Sequence, residues 1–260
     1  AGGGLVLQNN GGDDLAIGVD GSFTFSLPVN DGESYSVSLL QEPSNLSQIC
    51  SVSNGSGSLA GSNITDVLVE CTTNTYTVGG IVTGYSGSGL VIQNNAGDDL
   101  AISANGSFEF TTPLVDGSDY SVSVLTSPSG PVQGCNIANA SGRLAGDNVT
   151  NVTIDCTTTV FTVGGTVSGY TGSSGLVLQN NGGDDLSITA DGSFTFNSAI
   201  GDTGSYAVSV LTQPGSPDQN CNITNNSGVI AGSNVTNVTV TCATTDYSIG
   251  GVVTGLTGLG

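Results

Sequence analysis

The sequence predicts an all-β protein built from three tandem two-sheet sandwiches, each closed by one disulfide, with the first sandwich lacking its first strand. Three observations predict this. The run Gly4–Leu15 returns as Gly89–Leu100 and again as Gly175–Leu186, so the chain repeats with periods of 85 and 86 residues. Short runs of Val, Ile, Thr, Tyr and Phe alternate with small polar residues, the period-two signature of half-buried strands. The six cysteines follow the same beat, as Cys50 and Cys71, Cys135 and Cys156, Cys221 and Cys242, each pair 21 residues apart.

The second repeat shows the elements most fully. Strands are expected over about Tyr76–Thr83, Leu90–Asn94, Leu100–Ser103, Ser107–Thr111, Tyr120–Leu125, Gly134–Ala138 and Val149–Cys156. Gly11-Gly12-Asp13 and its equivalents read as a tight turn. Asp20-Gly21, Asn105-Gly106 and Asp191-Gly192 read as hairpin turns, because Asx-Gly tolerates the positive φ such turns need. No helical stripe of useful length is present. Seven short strands in about 85 residues suit a two-sheet sandwich. A core without Trp in a domain this small buries little, and a cysteine pair closing such a loop offsets that by about 3 kcal/mol in the chain-entropy model. Three evenly spaced pairs imply an oxidising compartment, extracellular or cell-surface.

Composition excludes several function classes. The chain has 260 residues, 21 acidic side chains, a single basic one (Arg143), no histidine and a net charge of −20. No basic footprint exists for nucleic acid and no polybasic patch for anionic lipid. Histidine-based triads, dyads and metal sites are impossible, as are lysine Schiff bases. No apolar run is long enough to span a bilayer. The repeats lack loops that could wall a catalytic pocket, so an enzyme is not expected.

Gly79-Gly80-Ile81-Val82-Thr83-Gly84, then Leu90-Val91-Ile92-Gln93-Asn94, then Ala104–Phe110, then Tyr120-Ser121-Val122-Ser123-Val124 resembles prokaryotic cell-surface tandem repeats. Those are immunoglobulin-like and transthyretin-like sandwiches, such as collagen-adhesin B-type and carboxypeptidase-regulatory-like domains. The resemblance extends over the whole chain and implies a surface stalk or fibre. It departs from the adhesins at one point: their intramolecular isopeptide bonds need lysine, and here disulfides must serve instead.

The phase of the repeats suggests a polymer. The opening run Ala1–Gly4 reads as a processed N-terminus. Repeats two and three each begin with a strand, Tyr76–Tyr85 and Phe161–Tyr170, that repeat one does not have. A matching segment, Tyr247–Leu256, follows repeat three, and Gly260 is equivalent to Gly89. The chain therefore reads as repeat one (1–73, missing its first strand), repeat two (74–159), repeat three (160–245) and a donor segment (246–260). Tyr247, Ile249, Val252, Val253 and Leu256 are the expected donor residues, and Leu5, Val6 and Leu7 the expected acceptor groove. The partner is then another copy of the chain, added head to tail by strand donation into an open filament. The alternative is a segment of a longer adhesin stalk that binds surface glycans, with Tyr85 and Tyr170 as sugar contacts.

Two further patterns recur. The paired acids Asp13-Asp14, Asp98-Asp99 and Asp184-Asp185 suit either a calcium site or a solvated turn. Sequons begin at Asn54, Asn139 and Asn225 and at Asn63, Asn148 and Asn234, with more at Asn45, Asn105, Asn151, Asn222 and Asn237; N-glycans there would shield a sparsely charged surface.

Overall fold

The computed structural model describes residues 3–172 and 175–258; Gly260 and the first two residues of the opening run lie outside them. Repeat one contains β1 (Leu5–Asn9), β2 (Asp13–Ile17), β3 (Ser34–Gln41), β4 (Gln48–Ser53), β5 (Ser56–Ser58) and β6 (Leu68–Thr73). Repeat two contains β7 (Thr75–Tyr76), β8 (Val78–Thr83), β9 (Val91–Asn94), β10 (Asp98–Ala101), β11 (Gly106–Glu109), β12 (Leu114–Val115), β13 (Asp119–Thr126), β14 (Gln133–Ala138), β15 (Ser141–Arg143) and β16 (Val149–Thr158). Repeat three contains β17 (Val160–Phe161), β18 (Val163–Ser168), β19 (Leu176–Asn180), β20 (Asp184–Ile188), β21 (Gly192–Thr195), β22 (Ile200–Gly201), β23 (Ser205–Thr212), β24 (Gln219–Thr224), β25 (Ser227–Val229) and β26 (Val235–Thr244). The described residues are all-β, in three repeated domains with one disulfide each. They group into two compact units: repeats one and two in one, and repeat three with the loop Pro128–Gly134 in the other.

In repeat two, one sheet has the order β10-β9-β13-β15 and the other β11-β8-β16-β14. Repeat three repeats both orders, as β20-β19-β23-β25 and β21-β18-β26-β24. The opening strand β8 is interior to its sheet. It runs antiparallel to β11 and parallel to β16, so both of its edges are bonded. Alternation places every second side chain inward: Val78, Val82, Leu90, Ile92, Phe110, Val152 and Ile154 are all buried in one cluster. The disulfides Cys50–Cys71, Cys135–Cys156 and Cys221–Cys242 all form, and Cys50 with Cys71 and Cys221 with Cys242 are directly opposite on neighbouring strands.

One of the two turn readings differs from expectation. The Asn10-Gly11 and Asn181-Gly182 turns do take positive φ, at 50° and 71° and at 51° and 71°, and close the β1–β2 and β19–β20 hairpins. The Asx-Gly pairs do not make hairpins. Asn105-Gly106 carries the chain from one sheet to the other, between β10 and β11. The Asx side chain instead pins the end of the opening strand: Asn105 accepts the Tyr85 N–H and donates to the Tyr85 carbonyl, both at 2.8 Å, and Asp191 accepts the Gly169 and Tyr170 N–H groups at 2.9 and 2.8 Å.

Successive repeats are stitched by one three-bond circuit, present twice. Between repeats one and two, Asp116 accepts the Ser47 N–H at 2.6 Å, its own N–H donates to the Asn74 carbonyl at 2.8 Å, and the Asn74 N–H donates to the Ser47 carbonyl at 2.9 Å. In the second unit, Asp202 accepts the Val132 N–H at 2.7 Å, donates to the Thr159 carbonyl at 2.9 Å, and Thr159 donates to the Val132 carbonyl at 2.9 Å. Each aspartate also takes an N–H from its own repeat, Gly146 at 2.9 Å and Gly232 at 2.7 Å.

These bonds favour the charged form. The Asp116 carboxyl is held below its ordinary value of 3.8 by the Ser47 N–H first, with Gly146, Gly117 and the Arg143 charge assisting against partial desolvation. Asp202 is lowered chiefly by the Val132 and Gly232 N–H groups. A folded-state value below the unfolded one means stabilisation that is complete above about pH 4 and lost as the pH falls through the folded value. Melting temperatures measured down the acid limb should therefore fall below pH 4. The Asp116→Asn, Asp202→Asn double variant should melt lower at pH 7 and show a flatter acid limb; parallel acid limbs would place the pH dependence elsewhere.

Candidate functional site

Repeat one keeps one sheet, β2-β1-β3-β5, but not the other. Its counterpart of β8 is missing from the described chain, and the second sheet is reduced to the pair β4-β6. The segment Gly21–Thr24, equivalent to β11, is not a strand, and β6 starts at Leu68 whereas its counterpart β16 starts at the equivalent of Ile64. A strand needs a neighbour to bond its backbone, so removing the central strand unpairs both sides.

What remains is an open groove of about 580 Å³, walled on one side by Gly21–Val29 and on the other by Asn63, Ile64, Thr65 and Val67. The wall keeps its shape: Phe23 and Phe25 meet edge to face at 5.8 Å, as Phe108 and Phe110 do. Yet Phe25 is only half-buried, whereas Phe110 and Phe196 are 1% exposed. Val67 and Val69 are half-buried, whereas their counterparts Val152 and Ile154 are fully covered.

This geometry moves the expected acceptor. Val6 and its neighbours lie in β1, which is bonded to β2 on one side and β3 on the other, so the open backbone edges are not there. Leu5 and Leu7 still contribute, from beneath: they are buried and pack with Phe23, Phe25 and Val69, the side chains that flank the gap. The open edges belong to Ser22–Phe25 and Ile64–Val69.

The expected donor residues are all solvated. Residues 246–258 form no strand; Ile249 is 102% exposed, with Tyr247, Val252, Val253 and Leu256 also exposed. Tyr247 is tethered through its hydroxyl, which donates to the Asp218 carboxylate, and that contact raises its phenol above the ordinary value. The counterparts of Ile249 and Val253 in repeats two and three, Val78, Val82, Val163 and Val167, are at most 4% exposed.

The glycines of this segment carry the sharpest contrast. In β8, a Cβ on Gly80 would lie 1.7 Å from the Val152 carbonyl oxygen, and one on Gly79 2.4 Å from that of Phe108. In β18, Gly165 would meet the Val238 oxygen at 1.7 Å and Gly164 the Phe194 oxygen at 2.3 Å. Only glycine fits between neighbours that close. Gly250 and Gly251 occupy the same two positions in the tail, with no atom within 4 Å of either Cβ position.

Two polar clamps escaped the sequence reading. Asn148 accepts the Thr77 N–H at 2.9 Å, and Asn234 accepts the Thr162 N–H at 2.9 Å, where the chain enters its opening strand. Asn105 and Asp191 hold the other end of that strand, as described above. The counterparts in repeat one are Asn63 and Asp20, both exposed. Their recurrence at one place in every repeat was the available signal. It was absorbed by the sequon pattern at Asn63, Asn148 and Asn234 and by the hairpin reading at Asp20.

The remaining candidates have structural work. Asn54, Asn139 and Asn225 take positive φ, at 54°, 53° and 52°, and their amides donate to the carbonyls of Asp66, Asn151 and Asn237. Tyr85 and Tyr170 are 7% and 6% exposed and belong to the cores, so they do not form a sugar-binding surface. The paired acids are separated by the strand's own alternation. Asp13 is buried and accepts from Ser26 and the Leu27 N–H, each at 2.8 Å, while exposed Asp14 accepts from Gln8 at 2.6 Å. Asp98 with Asp99 and Asp184 with Asp185 divide in the same way. Among the described residues no three His, Cys, Asp or Glu side chains converge as a metal would need, and the paired carboxylates accept hydrogen bonds within their own repeats. Addition of EDTA should leave the melting temperature unchanged; a fall on chelation would reinstate a metal.

Fold and site together define a tandem-repeat β-sandwich protein in which, among the described residues, repeat one has an open groove and residues 246–258 form no strand. No family model and no curated protein matches the sequence. Among solved structures, the chain is similar to the TIE protein of Bacillus anthracis, with 11% identity over 92% of this chain and 50% of that one and a TM-score of 0.44. It is similar to the streptococcal SHIRT domains 3-4 from a cell surface protein, with 16% identity over 66% and 99% and a TM-score of 0.23. It is also similar to the pilus adhesin SpaC of Lactobacillus rhamnosus GG, with 12% identity over 80% and 35% and a TM-score of 0.25. The chain thus spans about half the length of the TIE protein. Likenesses this distant assign no role. No helix among the described residues is long and apolar enough to cross a membrane.

Proposed function

We propose that this protein is a structural subunit of an extracellular filament, in which the Tyr247–Leu256 segment of one copy fills the groove in repeat one of the next. The observation that carries the reading is the Gly250-Gly251 pair. Nothing within this chain requires glycine there, and the slot between two strands does. The register follows from repeats two and three. By the 85- and 86-residue periods, Gly251 would lie beside Val67 and Phe23, Val252 beside Leu68 and Ser22, and Val253 beside Val69 and Gly21. The segment would run parallel to β6 and antiparallel to Ser22–Phe25. Asn63 would accept the Ser248 N–H, and Asp20 those of Gly255 and Leu256. Ile249 and Val253 would enter the core, each contributing about 1.5–3 kcal/mol. Three disulfides suit an oxidising exterior. The absence of lysine leaves little for trypsin-like proteases to cut.

A second reading makes the inserted strand part of the same polypeptide, in a longer surface stalk. The covalent passage from repeat to repeat through β8 and β18 favours it, since the same strand type joins repeats there. Native material on a reducing, denaturing gel separates the two. Discrete subunits near 25.6 kDa support strand exchange, and one giant species supports the stalk. For the isolated chain, electron microscopy should show beaded fibres of constant width that are absent after deletion of residues 246–260. Stable monomers with an intact tail would overturn the proposal.

A further inference from the structure

The three-bond circuit that stitches the repeats is present in two open halves at the ends of the described fold. Ser47 and Val132 correspond by period to Asp218, Asn74 and Thr159 to Thr245, and Asp116 and Asp202 to Asp31. On the repeat-three side, the Thr245 N–H already donates to the Asp218 carbonyl at 2.8 Å, as Asn74 does to Ser47 and Thr159 to Val132. On the repeat-one side, Asp31 already accepts the Gly61 N–H at 2.7 Å, as Asp116 does from Gly146 and Asp202 from Gly232. Each half has made the bond internal to its own repeat. The groups that correspond by period to the bonds across the completed joints are the N–H of Asp218, here bridged to Gly215, the carbonyl of Thr245, and the N–H and second carboxylate oxygen of Asp31.

We infer that Asp31 of one copy docks on the Asp218–Thr245 corner of another, accepting the Asp218 N–H and donating its own N–H to the Thr245 carbonyl. This rests on the strand-exchange reading and adds a second contact site to it, outside the groove. The occupant is a second copy of this chain, because both halves are on this chain and both completed examples have the same connectivity. The short strand pairs beside the completed circuits extend the match. Tyr76 pairs with Leu114 in one and Phe161 with Ile200 in the other, which places Tyr247 against Val29 in the joint between copies. Val29 lines the end of the groove, so the corner and the inserted strand form one continuous surface.

The joint between copies differs from the internal ones in charge. Asp218 stands where the internal joints have Ser47 and Val132, and Asp246 where they have Thr75 and Val160. In the docked joint both carboxylates would lie close to Asp31. The Asp218 side chain is occupied by the Tyr247 hydroxyl, as the Ser47 hydroxyl is by Tyr76 at 3.2 Å, and the Asp218 backbone is bridged to Gly215, a contact that docking would exchange for the one to Asp31. This like-charge cluster makes the joint between copies weaker than the internal ones and strengthened by added salt.

The test uses the full chain. Asp31→Asn keeps one acceptor for Gly61 but replaces the outward oxygen by an N–H donor. The critical concentration for assembly, measured by light scattering, should rise about tenfold or more, the range for a hydrogen bond to a charged group. The tail-deleted chain, run beside it, should not assemble at all. An Asp31→Asn chain that assembles at the wild-type concentration while tail deletion still abolishes assembly would overturn the Asp31 joint and leave strand exchange standing. Wild-type chains that fail to assemble would overturn both. Hydrogen exchange gives a reading independent of the variant: the Asp218 and Asp31 amides should gain protection in fibres relative to monomers, and unchanged exchange at both would refute the docking.

Discussion

Gly251→Val should abolish fibre formation while leaving the unassembled chain as stable as before. In the free tail the added side chain meets nothing within 4 Å, so the monomer has no reason to change. In the groove the first added carbon would fall where its counterparts on Gly80 and Gly165 fall, 1.7 Å from a carbonyl oxygen of the neighbouring strand. That overlap is removed only by moving the strands apart, which breaks the sheet. The same change at Gly165 is the control, because there the slot is already filled, and repeat three should unfold. Light scattering and thermal melting read the two effects separately. Fibres from the Gly251→Val chain would show that the tail does not enter a slot of the β8 kind.

Replacing Cys50 and Cys71 together by Ser should unfold repeat one in the unassembled chain, whereas the same change at Cys221 and Cys242 should lower the stability of repeat three without unfolding it. Among the described residues no strand of the β8 type covers the core of repeat one, and Leu5, Leu7 and Cys50 form its buried cluster. Repeat three retains a cluster running from Val163 and Val167 through Phe196 and Ile230 to Val240. A disulfide of this loop length contributes about 3 kcal/mol, a large share of the stability of any domain this small. Hydrogen exchange across β1–β6 would report the difference. A synthetic Asp246–Leu256 peptide should restore protection to the disulfide-free repeat one by filling its groove, and should also cap growing ends when added to wild-type chains. Equal losses in the two repeats would mean that the open groove costs repeat one little.

The repeats, the strand types and the cysteine pairs were legible in the sequence because each depends on local pattern. Alternation marks a strand wherever one face is buried, and three copies of the pattern made the phase visible. The two-residue strands β7, β12, β17 and β22 were not separable, since no periodicity can be read in so short a run. The Asx-Gly pairs were misread as hairpins because the dipeptide reports only a local φ. Whether the following strand stays in the same sheet or crosses to the other is decided by what it pairs with. The sequence left the paired acids open between two roles for a related reason: neighbours in sequence on a strand point to opposite faces, and only the structure shows which partners each carboxylate meets.

The sequence alone determined that a strand segment of the Val-Gly-Gly type opens repeats two and three and recurs after repeat three, because that is a matter of counting periods. Only the tertiary structure decided where the open groove of repeat one lies. It lies between Phe23 and Val67, in the layer opposite β1, and not beside Leu5. Chain order gives succession along the backbone. Hydrogen bonds between strands are made to neighbours in space, and in these sandwiches the opening strand pairs in parallel with the closing one, some 70 residues further on.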